Sequence, residues 1–102
     1  MKLGLVSAIL PELTLDEVLA LAHREKLSCV EVMCWPVGKA ERKYAGVTHL
    51  DVTALSPPRL DAVQESVACH GVTLSALGYY PNPLDPDPAA ARRCTDHLRK
   101  VI

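Results

Sequence analysis

Glycine is scarce in this chain, with five in 102 residues, and none lies in the turn after the first apolar residues. The stretch "SAILPEL", Ser7 to Leu13, lacks the glycine-rich loop that cradles phosphate after the first strand of nucleotide- and flavin-binding folds, which argues against that ligand class there. A surplus of base is missing as well. Eleven Lys and Arg stand against twelve Asp and Glu, a formal net charge of −1, and such a balance speaks against a nucleic-acid groove or an attachment to an anionic membrane. No apolar run reaches the roughly 20 residues of a membrane span. The start, "MKLGLVSAIL", has the lysine and the short apolar run of a signal peptide but no small-residue cleavage site. Pro11 and a helix cap follow instead, so it reads as a first strand. The cysteines Cys29, Cys34, Cys69 and Cys94 form no CxxC pair. Set singly in apolar segments, they act as small hydrophobes of a reduced, cytoplasmic protein; on count alone a disulfide framework is the alternative. The neighbours Cys69 and His70 do not by themselves make a metal site, and no Ser-His-Asp or Cys-His nucleophile motif is present.

What is present is an alternation of strand and helix patterns. Lys2 to Leu10 is apolar almost throughout, as a strand buried on both faces is. "LTLDEV" then opens a helix with Thr14 as N-cap, Glu17 completing a capping box, and Leu13 and Val18 as a hydrophobic staple. Leu15, Val18, Leu19 and Ala22 give the helix its apolar stripe, and it ends near Lys26. Ser28 to Trp35 is a second strand, and the polar stretch from Gly38 to Thr53 is long enough to be a functional loop. Ser56 and Pro57 start a second helix with a stripe of Leu60, Val63 and Val67, closed by Gly71. Val72 to Gly78 is the third strand. Asp87 and Pro88 then repeat the cap-plus-proline device, for a helix with Ala91, Cys94, Leu98 and Val101 on one face. The order β-α-β-α-β-α predicts an α/β fold with a parallel sheet, strand order 1-2-3, and right-handed crossovers. Val101 and Ile102 still belong to the apolar pattern, and three parallel strands leave both sheet edges open. These features predict a single partial domain over residues 1–102, cut from something longer and self-associating through its sheet edges.

The stretch "ALGYYPNPLDPDP", Ala76 to Pro88, stops a buried strand with two tyrosines and stiffens the exit with four prolines. Together with "KLGLVS", "CVEVMCW" and "HLDVTAL", it resembles the sugar phosphate isomerases/epimerases, the xylose-isomerase-like TIM barrels. The likeness covers essentially the whole chain and is most specific at the His-x-Asp loop and the Tyr-Tyr-Pro-Asn-Pro exit. A full barrel has eight βα units and about 250 residues; the resemblance implies that this chain is the first three. It also implies a small sugar substrate and a divalent metal held by Glu, Asp and His residues at the ends of later strands. None of those positions falls within these residues, so no metal ligand is carried over, no catalytic residue can be named, and no turnover is expected from them alone.

Active sites of such barrels lie at the C-terminal ends of the strands. That position is held by Tyr79, Tyr80, Pro81 and Asn82 on strand three, by Trp35 on strand two and, in the following loop, by His49. The resemblance implies that Trp35, His49, Tyr79, Tyr80 and Asn82 contact substrate, with flat faces for a sugar ring and hydroxyls for hydrogen bonds. Packing of the aromatics over the core, and a solvated His49, are the alternatives. His23, His70 and His97 read as helix-surface residues. Glu31 is the one charge inside a strand; period-two alternation puts it with Met33 and Trp35 on one side, where Lys2 can pair with it in a structural buried charge. The same side is expected to carry Leu77. Two other functions fit the pattern at this level: a segment of an abasic-site endonuclease-like barrel, which needs a basic phosphate groove, and a small α/β interaction module without catalysis.

Overall fold

The computed structural model describes residues 1–38 and 45–102. Strands β1 (Gly4–Val6), β2 (Cys29–Met33) and β3 (Thr73–Gly78) alternate with helices α1 (Leu15–Arg24), α2 (Pro57–His70) and α3 (Pro88–Val101). The strands pair in parallel in the order β1-β2-β3. The fold is therefore α/β, with the predicted strand direction and order. Among the described residues no helix is long and apolar enough to cross a membrane.

Local chemistry sets the helix ends. The Glu17 amide donates to Thr14 Oγ1 at 3.3 Å and the Thr14 amide to Glu17 Oε2 at 2.7 Å, the two halves of the capping box, a device worth about 1 kcal/mol. Ser56 accepts from the Arg59 amide and Asp87 from the Ala89 amide, each with proline in the first turn. Gly71 closes α2 at φ 65°, a left-handed conformation that glycine adopts without a Cβ penalty.

The first strand is shorter than its apolar run. After Val6 the chain turns through a single 3-10 turn, Ser7–Ile9. Ser7 is fully buried, and its hydroxyl oxygen accepts from the Met33 amide at 2.9 Å, so a side chain replaces the next rung of the ladder. Gly4 is needed for the β1–β2 approach: a Cβ there would lie 2.5 Å from the Cys29 carbonyl oxygen.

All three helices contribute to one core, on one face of the sheet. Val30, Val32 and Cys34 of the middle strand and its exit are fully buried and meet Val18, Leu19 and Ala22 of α1. Val63 and Val67 of α2 and Val101 of α3 pack on the same cluster. Leu60, expected in the α2 stripe, is instead 44% exposed. The stretch expected to be a polar loop also departs from that reading. Residues 39–44 lie outside the described residues, but Leu50 and Val52 join the core, and the His49 and Leu50 amides donate to the Met33 carbonyl.

The other sheet face carries Val6, Glu31 and Ala76 in register. Leu77 is not on it. Val30 pairs with Leu74 but Glu31 with Ala76, so Ser75 is an extra residue, a β-bulge that resets the alternation. Leu77 falls opposite Val32, on the helix-facing side, at the edge strand and 40% exposed.

Candidate functional site

The exits of β2 and β3 are tied together at their C-terminal ends. The Cys34 amide donates to the Gly78 carbonyl at 2.8 Å, and the chain after β2 folds back as a short antiparallel bridge between Cys34 and Thr48. The Thr48 hydroxyl donates to the Trp35 carbonyl and the Trp35 amide to the Val47 carbonyl at 3.4 Å, which holds the Trp35 backbone on both sides.

On this frame stands a row of three rings. Trp35 and Tyr79 meet edge to face, with centroids 5.0 Å apart and planes at 79°. Tyr79 meets His97 in the same way at 4.6 Å and 66°. His97 is buried, not on the surface, because its Nε2 reaches the Cys34 carbonyl at 2.7 Å. A carbonyl only accepts, so Nε2 carries the proton. The helix face expected to show Cys94, Leu98 and Val101 to the core therefore presents His97 as well, which brings α3 against both strand exits. Burial, and then the Cys94 thiol beside it, push the Tyr79 phenol up to about 12, so it is a neutral donor at physiological pH.

A cleft of about 500 Å³ opens beside this row, lined by Trp35, Tyr79, Tyr80, Asn82, Arg93 and Cys94 among others. The structure thus gathers four of the five residues expected to bind substrate. Asn82 Oδ1 accepts from the Leu84 amide at 3.2 Å, a local turn that fixes the side-chain amide. Arg93 has no ion-pair partner among the described residues. Sequence reasoning missed Arg93, Cys94 and His97 as site residues; His97 lies three residues after Cys94 and four before Val101, a spacing that places it on their face.

His49 goes elsewhere. It is buried, its Nε2 donates to the Leu10 carbonyl at 2.9 Å, and it lines a second cleft of about 550 Å³ with Thr14, Asp16, Arg59 and Ser66 between α1 and α2. There Asp16 accepts from the Ser66 hydroxyl at 2.5 Å and from His70 Nε2 at 3.0 Å. The Ser66 hydroxyl, and after it His70, hold the Asp16 carboxyl below the ordinary aspartate value. His70, expected on the open surface, is thus half of a clamp between two helices. Thr53 similarly holds the Asp51 carboxyl down, through its hydroxyl at 2.6 Å and its amide at 2.9 Å.

Glu31 is half-buried, and Lys2 is not its partner; the Tyr80 hydroxyl donates to Oε1 instead. Sharing its proton with that carboxylate raises the Tyr80 phenol. Among the described residues no group of three His, Cys, Asp or Glu side chains stands together as metal ligands would. The cleft offers aromatic faces, one amide, two phenols, one guanidinium and one thiol. No protein-family model matches the chain, and no curated protein or solved structure matches it.

Proposed function

We propose that this chain is the substrate-binding wall of a sugar or sugar phosphate isomerase/epimerase-like barrel, built from the first three βα units. The observation that carries this reading is the gathering of Trp35, Tyr79, Tyr80 and Asn82 around one cleft at the C-terminal ends of parallel strands. A strand order that runs 1-2-3 without reversal, with all three helices packed on one face, supports a singly wound barrel over a doubly wound sheet, whose order reverses at a switch point. Sugar rings stack on indole and phenol faces while amide and hydroxyl groups take their hydroxyls. Arg93 beside the cleft suits an anionic substituent such as a phosphate. The reaction of the whole, proton transfer beside a carbonyl, needs acid/base and metal-holding groups that the described residues do not bring together, so the part assigned to them is binding. The four free thiols suit a reducing, cytoplasmic compartment.

The chain has a single tryptophan, so indole fluorescence reports on the cleft directly. Titration with D-xylose and with D-ribose 5-phosphate is expected to give a saturable change in the millimolar range, lost in Tyr79→Ala, with the phosphorylated sugar binding more tightly. No change up to tens of millimolar with either sugar, or an identical response to inorganic phosphate alone, refutes the reading.

A further inference from the structure

Glu31 is the only charged residue within the three strands, and its surroundings are not those of a structural ion pair. It lies on the sheet face that the helices leave uncovered, in register with Val6 and Ala76. The ion pairs among the described residues join Arg24 to Glu25, His70 to Asp16 and Arg99 to Asp96; none involves Glu31. Its one hydrogen bond among those residues comes from the Tyr80 hydroxyl to Oε1. Oε2 accepts from no donor of the described chain. A carboxylate can accept about four hydrogen bonds, so lone pairs on both oxygens remain for an incoming donor.

Gly78 provides the seat. A Cβ at that position would lie 2.6 Å from Met33 Sδ and 2.9 Å from Glu31 Oε1, so the carboxylate and the Met33 sulfur occupy the space that a side chain at residue 78 would fill. Tyr80, 63% exposed, lines the aromatic cleft and also holds the carboxylate, so Tyr80 links Glu31 on the uncovered face to the cleft.

We infer that Glu31 and Tyr80 form a hydroxyl-recognition pair that binds the vicinal diol of a polyhydroxylated ligand. The inference rests on the sugar-binding reading above and deepens it. Two carboxylate oxygens accept from two adjacent hydroxyls as they do from the paired N–H groups of a guanidinium. Tyr80 fixes the carboxylate by donating to one lone pair of Oε1 and leaves the remaining lone pairs of both oxygens to the diol. Its phenol remains protonated at neutral pH, so it is a positioning residue and not a base. A site of this kind selects for the diol, because an analogue without it leaves the carboxylate unpaired.

The test uses the full chain with ¹³C-labelled carboxyl groups, titrated with D-xylose and, as the ring without hydroxyls, tetrahydropyran, while Trp35 fluorescence is read in parallel. D-Xylose is expected to move both the Glu31 carboxyl carbon and the Trp35 signal with one affinity, and tetrahydropyran is expected to leave the carboxyl carbon unmoved. Glu31→Gln is expected to bind D-xylose about ten-fold more weakly, the scale of one charge-assisted hydrogen bond. Tyr80→Phe is expected to reduce the ligand-induced carboxyl shift while Glu31 is still present. If Trp35 responds and the Glu31 carbon stays still, the pair takes no part and the inference fails while the sugar-binding reading stands. If neither moves, both fail. A shift of the Glu31 carbon by micromolar Mg²⁺ without sugar makes it a cation ligand and overturns the inference. The wild-type carbon decides these outcomes even if a variant does not fold.

Discussion

Replacing His97 by alanine should damage the cleft wall more than any exposed substitution on α3. The imidazole donates from Nε2 to the Cys34 carbonyl at 2.7 Å and packs its ring on Tyr79 at 4.6 Å. Cys34 is fully buried, so truncation leaves its carbonyl oxygen without a donor, at about 1–3 kcal/mol. Loss of the edge-to-face contact adds about 0.5–1.5 kcal/mol. A destabilisation of about 1.5–4.5 kcal/mol follows, a large part of the roughly 5–15 kcal/mol expected for a domain. His97→Gln separates the two effects, because its amide nitrogen can stand near the position of Nε2 while the ring is gone; it should recover the hydrogen-bond share. Urea unfolding followed by Trp35 fluorescence measures both variants, and the indole lies in the same row of rings. If His97→Ala falls within about 0.5 kcal/mol of wild type, the range of an ordinary surface change, or His97→Gln is no better than alanine, then His97 does not brace the strand exits.

Two further outcomes follow from buried and paired groups elsewhere. Asp16 has a lowered pKa because Ser66 and His70 bind its charged form, so its contribution is present above the ordinary value of 3.8 and is lost as pH falls through the lower native value. Melting temperatures of wild type and Asp16→Asn should therefore differ at pH 6 and converge as the pH is taken well below 3.8 and the carboxyl is protonated in the native state, and a gap that stays constant over that acidification refutes the clamp. Burial pushes the Cys34 thiol up to about 11 while Cys69 is exposed; alkylation of native protein at pH 8 should label Cys69 readily and Cys34 only on unfolding, as read by peptide mass.

The sequence alone determined the strand–helix order, the capping box of Thr14 and Glu17, the proline starts at Pro57 and Pro88, and the left-handed stop at Gly71, because each signal acts within a few residues of itself. Parallel pairing in the order 1-2-3 was legible for a related reason: crossover helices between apolar strands leave few other arrangements. Trp35, Tyr79, Tyr80 and Asn82 could be placed at one end of the sheet since each directly follows a strand. Partners were not legible. An extra residue at Ser75 moved Leu77 to the helix-facing side, and alternation counted along the sequence cannot see a bulge made by pairing with another strand. His49 turned to the Leu10 carbonyl and away from the aromatic cleft, and His97 turned inward to the Cys34 carbonyl, because those acceptors sit 39 and 63 residues away in the chain. Glu31 found the Tyr80 hydroxyl and not the Lys2 ammonium, since the missing Cβ of Gly78 opens a place for its carboxylate over β3. Backbone signals are local and survive reading one residue at a time; the direction and partner of a polar side chain depend on which distant groups the packed sheet and helices bring within about 3 Å, and only the tertiary structure decides that.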